Sequence, residues 1–329
     1  LWSERHRAGS RVAAATSAPY GAALLALLRF VRPTVLAGGD DTYFRRERLS
    51  DRRGPVAEIV REVADRIVAV DRRFRERGTR LVVCCTAEKD LVCPDLLPRG
   101  AATRPELYVA LLAELARRDV FAADVLGALT AARREGVRVY ARNDSHWTYD
   151  GVLAAAEEIA RVAGARTDPA TRRTRMTPRG VIEDVGDVLT AAGVDVRGAP
   201  TSSLARRLLE MRRPVLRLDR LAVVDDAGVA LLEEGPPVNT RDWWLCGTSF
   251  SAYIDPILPH ALMHVLQAPV RYQGLVLIGE GAAHPLMASW RAAGIEGFPQ
   301  FLVWEFPSAE VFARGPVLRG LDEFFAIAR

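Results

Sequence analysis

Two short segments of this chain hold residue types that together could move an acyl group. Asn143-Asp144-Ser145-His146-Trp147-Thr148 places an acid and an imidazole in Asp-x-His spacing. About a hundred residues on, Cys246-Gly247-Thr248-Ser249-Phe250-Ser251 presents a serine directly after a Gly-Thr turn. Transfer through a covalent ester needs a hydroxyl that attacks, an imidazole that takes its proton and a carboxylate that orients the imidazole. Ser249, His146 and Asp144 are the candidates for these roles. In a turn after a strand, Asp144 and His146 project to the same side, so the carboxylate can hold Nδ1–H and leave Nε2 to act as base. Ser251 competes with Ser249, and the position directly after the turn favours Ser249. Backbone N–H groups at the strand-to-helix junction near Gly247 and Thr248 could face a developing oxyanion. The Ser249 N–H is the first choice for that role, and the Gly279-Glu280-Gly281 loop is the second. The plain alternative makes Asp144 a cap, His146 a surface polar residue and Ser249 the N-cap after an ordinary glycine turn.

Positioning these residues requires strands that end where the two segments begin. Apolar runs at Leu81 to Cys85, Val137 to Ala141, Trp243 to Cys246, Leu275 to Gly279 and Phe301 to Glu305 read as central strands of a mostly parallel sheet. Between them, Val56 to Arg77, Pro105 to Arg118 and Gly151 to Ala163 carry apolar residues at helical spacing, the first ending before Gly78. This alternation predicts an α/β three-layer fold. The less regular stretch at about 165–238 predicts an insertion within a single catalytic domain spanning 1–329. Helices are expected in it near Val181 to Ala192 and Ser202 to Arg212, with a small hairpin around Asp225-Asp226-Ala227-Gly228.

Composition narrows the partners. With 329 residues, 49% of them hydrophobic, the chain can bury a sizeable core. Net charge is +4, but acids and bases alternate, and even the densest basic run, Arg45 to Arg53, contains Glu47 and Asp51 and no aromatic residue. Nucleic-acid binding is therefore not expected. The apolar run Ala22 to Phe30 is too short to span a bilayer and reads as a buried or amphipathic helix. The chain starts at Leu1 with no leader pattern, which leaves the compartment open. Cys84, Cys85, Cys93 and Cys246 lack C-x-x-C spacing, so they read as buried thiols. His260 and His264 stand four apart, but no glutamate completes a metal motif, and no metal or cofactor is expected. His284 lies in a small-residue loop and reads as structural, and His6 lies in a terminal segment. Of 45 basic Lys and Arg residues only Lys89 is a lysine, which singles it out.

The ordered set of segments resembles the AlgJ and AlgX type of SGNH-hydrolase-like proteins, bacterial polysaccharide O-acetyltransferases. Gly39-Asp40-Asp41-Thr42-Tyr43-Phe44 resembles the early Gly-x-x-Gly-Trp-Leu-Phe segment of that family. Leu81 to Pro94, with Glu88-Lys89-Asp90, is similar to its strand followed by Pro-x-Lys and Tyr-Pro. Asn143 to Thr148 resembles the Thr-Asp-Thr-His-Trp-Thr signature, Gly247 to Ser251 the nucleophile segment, and Val303-Trp304-Glu305-Phe306-Pro307 the closing Trp-Glu-x-Pro strand. The resemblance implies a flavodoxin-like SGNH fold whose motif order is circularly permuted, with Asp144 and His146 preceding Ser249. It also implies supporting or substrate-binding roles for Lys89, Gly247, Thr248, Trp147 and Gly281. Three positions depart from the pattern: Asp41-Thr42-Tyr43 for Gly-Trp, Cys93 for a tyrosine before proline, and Ser308-Ala309 for Glu-Arg.

The expected activity is O-acetyl transfer to a carbohydrate or other hydroxyl acceptor through a serine ester. Hydrolysis by the same residues and a non-catalytic glycan-binding role are the alternatives. The resemblance implies an acyl donor supplied by a membrane acyltransferase and a setting in the cell envelope or periplasm. The start at Leu1 without a leader keeps a cytoplasmic one open.

Overall fold

The computed structural model describes residues 34–46, 54–101, 103–165, 167–184, 186–188, 216–224, 243–252, 257–274 and 298–312. In chain order the first elements are β1 (Val35–Ala37), β2 (Tyr43–Arg45), α1 (Val56–Arg75), β3 (Arg80–Thr86) and α2 (Lys89–Val92). Then come α3 (Pro105–Arg117), β4 (Phe121–Ala122), α4 (Val125–Arg134), α5 (Tyr149–Val162), β5 (Arg175–Asp184) and β6 (Leu216–Val224). The last are β7 (Trp243–Gly247), α6 (Ile257–Leu266), β8 (Arg271–Gly274), β9 (Phe301–Pro307) and α7 (Ser308–Phe312).

Among the described residues, five strands form an all-parallel sheet in the order β4-β3-β9-β7-β8. Successive strand residues point to opposite faces. Leu81 through Thr86 are all buried, so β3 must be covered on both sides. Two groups of helices do this: α1 packs with α3, and α5 packs with α4 and α6. The α/β layering read from the sequence is therefore the one observed, and an apolar run without alternation is what a two-sided parallel strand requires. Helix α1 follows its sequence pattern: Ile59, Val63, Ile67, Val70 and Phe74 line the buried stripe, with Glu58 in the first turn and Arg72, Arg73 and Arg75 in the last.

Two expectations need correction. Val137 to Ala141 is not a strand of the sheet. It turns back on itself, with the Thr148 N–H donating to Val139 O at 2.9 Å and one antiparallel bridge joining Tyr140 and Trp147. A five-residue apolar run fits a buried loop as well as a strand. The sheet position beside β3 belongs instead to the two-residue β4, too short to leave a periodic signal. Val181 to Asp184, expected to begin a helix, is the end of β5, which pairs antiparallel with β6 and shifts register between Pro178 and Gly180. The β-branched pair Val181-Ile182 suits a strand, and a proline cannot donate to the ladder, which explains the irregularity there. The expected strand at Leu275 to Gly279, the helix at Ser202 to Arg212, the hairpin at Asp225 to Gly228 and the run Ala22 to Phe30 lie outside the described residues. Among the described residues no helix is long and apolar enough to cross a membrane.

The two-sided burial of β3 sets a test. Leu81→Ala is expected to lower the free energy of unfolding by about 2–5 kcal/mol in denaturant titrations. Val109→Ala, at a position 58% exposed on α3, should change it by less than about 0.5 kcal/mol.

Candidate active site

Strands β3, β7 and β9 run parallel, and their carboxyl ends converge where ligands of open α/β sheets bind. The loop holding Asp144 and His146 precedes α5, whose first turn is capped by Thr148 Oγ1 accepting from the Gly151 N–H at 3.2 Å. Thr148 therefore owes its place in the segment to helix capping.

Within that loop the acid and the imidazole meet. Asp144 Oδ1 accepts from His146 Nδ1 at 2.6 Å and from the His146 N–H at 2.8 Å, and Oδ2 accepts from the Asp187 N–H at 2.8 Å. Burial opposes ionisation of Asp144, but these hydrogen bonds and the neighbouring imidazole outweigh it and hold the carboxyl below its ordinary value. With Nδ1–H committed to the carboxylate, the Nε2 lone pair faces the Ser249 hydroxyl at 2.9 Å. A chain of this form can lower the cost of taking the proton from a hydroxyl as it attacks a carbonyl.

The serine segment is a tight turn after β7. The Ser251 N–H donates to Thr248 O at 3.0 Å, and the Phe250 N–H donates to Thr248 Oγ1 at 3.2 Å. Ser249 is half-buried, whereas Ser251 is fully buried and donates its hydroxyl to Glu305 Oε2 at 2.9 Å. The two serines thus part company: one meets the imidazole and the other is spent on the core. Gly247 is needed because a Cβ there would stand 2.0 Å from Ser251 Oγ and 2.8 Å from Glu305 Oε2. Trp147 ties the two segments together, its Nε1–H donating to Phe250 O at 2.7 Å. The Phe250 ring lies 4.8 Å from the His146 ring, centre to centre.

Lys89 begins α2 just past the end of β3 and is almost wholly buried. Its Nζ donates toward four carbonyls: Tyr43 at 2.9 Å, Ala141 at 2.5 Å, Arg142 at 2.8 Å and Asp144 at 3.1 Å. Burial pulls its pKa down to about 7, with the negative charges of Asp144 and Asp187 working the other way. Lys89 is turned inward onto the backbone of the Asp144 loop.

The sequence assigns no role to two neighbours of the site. Asp187 accepts from the Ser145 N–H at 2.6 Å and from Ser145 Oγ at 2.5 Å, and pairs with Arg45 at 3.2 Å. Gly186 before it has φ +80, and a Cβ there would lie 2.2 Å from Asn143 O, so glycine lets this segment reach the loop. Nothing local in the sequence marks Asp187. Glu305 does leave a signal, a carboxylate inside an otherwise apolar strand. Atoms of Asp144, His146 and Asp187 lie within 4.8 Å of one another, a spacing that could hold an ion. The lone pairs of Asp144 and Asp187 already accept from backbone N–H groups, Ser145 and Arg45, so a cation would have to displace these donors. His264 Nδ1 meets Thr174 Oγ1 at 2.9 Å, and among the described residues neither it nor His260 joins a ligating cluster. Gly281, the Gly279-Glu280-Gly281 loop, His284 and His6 lie outside the described residues.

Comparison with known proteins places the chain in a family. The model of the SGNH hydrolase-like domain of acetyltransferase AlgX matches residues 35–308. The chain is similar to the probable alginate O-acetylase AlgJ of Pseudomonas putida, 26% identical over 287 residues, covering 84% of this chain and 70% of that protein. It is also 26% identical over 305 residues to the probable alginate O-acetylase AlgJ of Pseudomonas syringae pv. tomato, covering 89% and 72%. The solved O-acetyltransferase domain of Pseudomonas putida AlgJ shares the fold with a TM-score of 0.62 at 22% identity, over 86% of this chain and 94% of that one. Pseudomonas aeruginosa AlgX does so with a TM-score of 0.58 at 19% identity, over 92% and 70%. The chain belongs to the AlgX family of SGNH hydrolase-like acetyltransferase domains, and is an enzyme of the acyltransferase and esterase class.

Proposed function

We propose that the protein transfers an acetyl group to a polysaccharide hydroxyl by way of an acetyl ester on Ser249. The observation that carries this reading is the hydrogen-bonded chain from Asp144 through His146 to Ser249, at 2.6 and 2.9 Å. The acceptor class is supported by likeness to proteins named as alginate O-acetylases. The donor is an activated acetyl ester, soluble or presented by a membrane acyltransferase.

In the first half-reaction Ser249 Oγ forms a bond to the acetyl carbonyl carbon while His146 Nε2 takes the hydroxyl proton. The carbonyl oxygen gains the negative charge. Among the described residues the Ser249 backbone N–H has no hydrogen-bond acceptor, which supports it as one donor to that oxygen. Collapse expels the donor's leaving group, which takes the proton from His146. In the second half-reaction an acceptor hydroxyl attacks the ester, His146 takes its proton, and the same proton returns to Ser249 Oγ as the bond breaks. Asp144 keeps the imidazole in the tautomer both steps need. Lys89 acts as a positioning residue, gathering the carbonyls that shape the Asp144 loop.

With a chromogenic acetyl ester, Ser249→Ala is expected to lose at least about a thousandfold in turnover. An oligosaccharide acceptor should divert the wild-type product from acetate to acetylated sugar. Release of acetate unchanged by any acceptor would make the protein an esterase, and full turnover by Ser249→Ala would remove the serine mechanism. Lys89→Met leaves several buried carbonyls without a donor, so unfolding in denaturant is expected at a free energy lower by about 3 kcal/mol or more. Lys89→Arg should not restore it, because a planar guanidinium cannot aim at four convergent acceptors.

A further inference from the structure

A glutamate is costly in the middle of a buried strand unless its charge is met. Glu305 stands on β9 between Trp304 and Phe306, fully buried, opposite Cys84 of β3. Among the described residues its partners are all neutral donors. Thr86 Oγ1 donates to Oε1 at 3.0 Å, the Thr248 N–H to Oε2 at 2.7 Å, and Ser251 Oγ to Oε2 at 2.9 Å. Thr248 Oγ1 lies 3.0 Å from both oxygens. Three of these four donors flank Ser249 in the chain.

We infer that Glu305 is the positioning residue of the serine turn, its carboxylate fixing Thr248 and Ser251 so that Ser249 Oγ is aimed at His146. The inference rests on the acyl-transfer reading of Ser249. The geometry leaves little slack. The Thr248 N–H can only donate, so an acceptor must stand at Oε2. Thr248 Oγ1 accepts from the Phe250 N–H, which directs its own proton toward the carboxylate. Ser249 lies inside this bracket, and its hydroxyl reaches His146. The bond to Thr86 ties the turn to the end of β3, close to Lys89, which holds the other half of the site. Glu305 touches none of the reacting atoms. Its effect is on where they sit, and a displacement of about 1 Å can cost about a hundredfold in rate.

The test is the rate at which an alkyl fluorophosphonate captures Ser249, resolved into its saturating rate and its half-saturating concentration, with thermal unfolding measured alongside. Glu305→Ala is expected to lower the saturating rate by about a hundredfold while the half-saturating concentration moves by less than about threefold. Glu305→Gln should stay within about fivefold of wild type, because its carbonyl can accept from the Thr248 N–H while its amide donates to Thr86 and Thr248 hydroxyls. Folded Glu305→Ala with reduced thermal stability but a wild-type capture rate would overturn the inference, since that is what a merely structural residue would give. If Glu305→Ala does not fold, Thr248→Val combined with Ser251→Ala removes two of the turn's bonds and leaves the carboxylate in place. That variant should label about tenfold more slowly, and an unchanged rate would overturn the inference. Absence of labelling at Ser249 in the wild type would remove the acyl-transfer reading itself. Normal wild-type labelling with indifferent Glu305 variants would remove only the role given to Glu305.

Discussion

One hydrogen bond, from Ser249 Oγ to His146 Nε2 at 2.9 Å, joins loops 103 residues apart in the chain. A reacting pair gains from proximity only if its geometry is held to fractions of an ångström. Neither loop is regular structure, so the burden of placing them falls on what surrounds them. The parallel sheet supplies the coarse alignment, since β3, β9 and β7 all end at the same edge. The Trp147 bond to Phe250 O and the Phe250 ring against His146 supply a direct tie between the loops.

Two buried ionisable groups of opposite kind supply the finer alignment. Lys89 offers donors, and the backbone of the acid-base loop turns three carbonyls toward it, with Tyr43 O of β2 a fourth. Glu305 offers acceptors, and the serine turn brings an N–H and two hydroxyls to it. Each would be costly alone in the interior and each is compensated by the loop it orders. Burial shifts both toward their neutral forms, Lys89 down to about 7 and the Glu305 carboxyl upward, while the polar groups around them favour the charged forms. Apolar packing could not have done the same work, because it does not say which way a carbonyl or an N–H must point.

How much of this could be read from the chain differs by residue. Asp144, His146 and Ser249 could be put forward from the chain because few residue types can do the chemistry and their local spacing is informative, and the structure brings the three together. The sequence favours Ser249 over Ser251 by its place after the turn, and in the structure Ser249 meets the imidazole while Ser251 is bonded to a buried carboxylate. Lys89 stood out as a lone lysine, but its direction inward could be known only from the four carbonyls around it. Asp187 was not legible, because its reach to Ser145 depends on tertiary contact across 42 residues and on the left-handed Gly186. The parallel architecture followed from apolar runs such as Leu81 to Cys85. The same reasoning misread Val137 to Ala141, where burial without sheet pairing produces an identical pattern.

Ser249 is proposed to carry the acyl group, with His146 moving the proton in each half-reaction. Acid quench of the protein during turnover of an acetyl ester, followed by peptide mapping, tests it most directly. The expected result is an acetyl group on the peptide containing Ser249, at that residue and not at Ser251, and its absence in His146→Ala. Turnover with no acetylated Ser249 at any time of quench, or an acetyl group carried by a different residue, would contradict it.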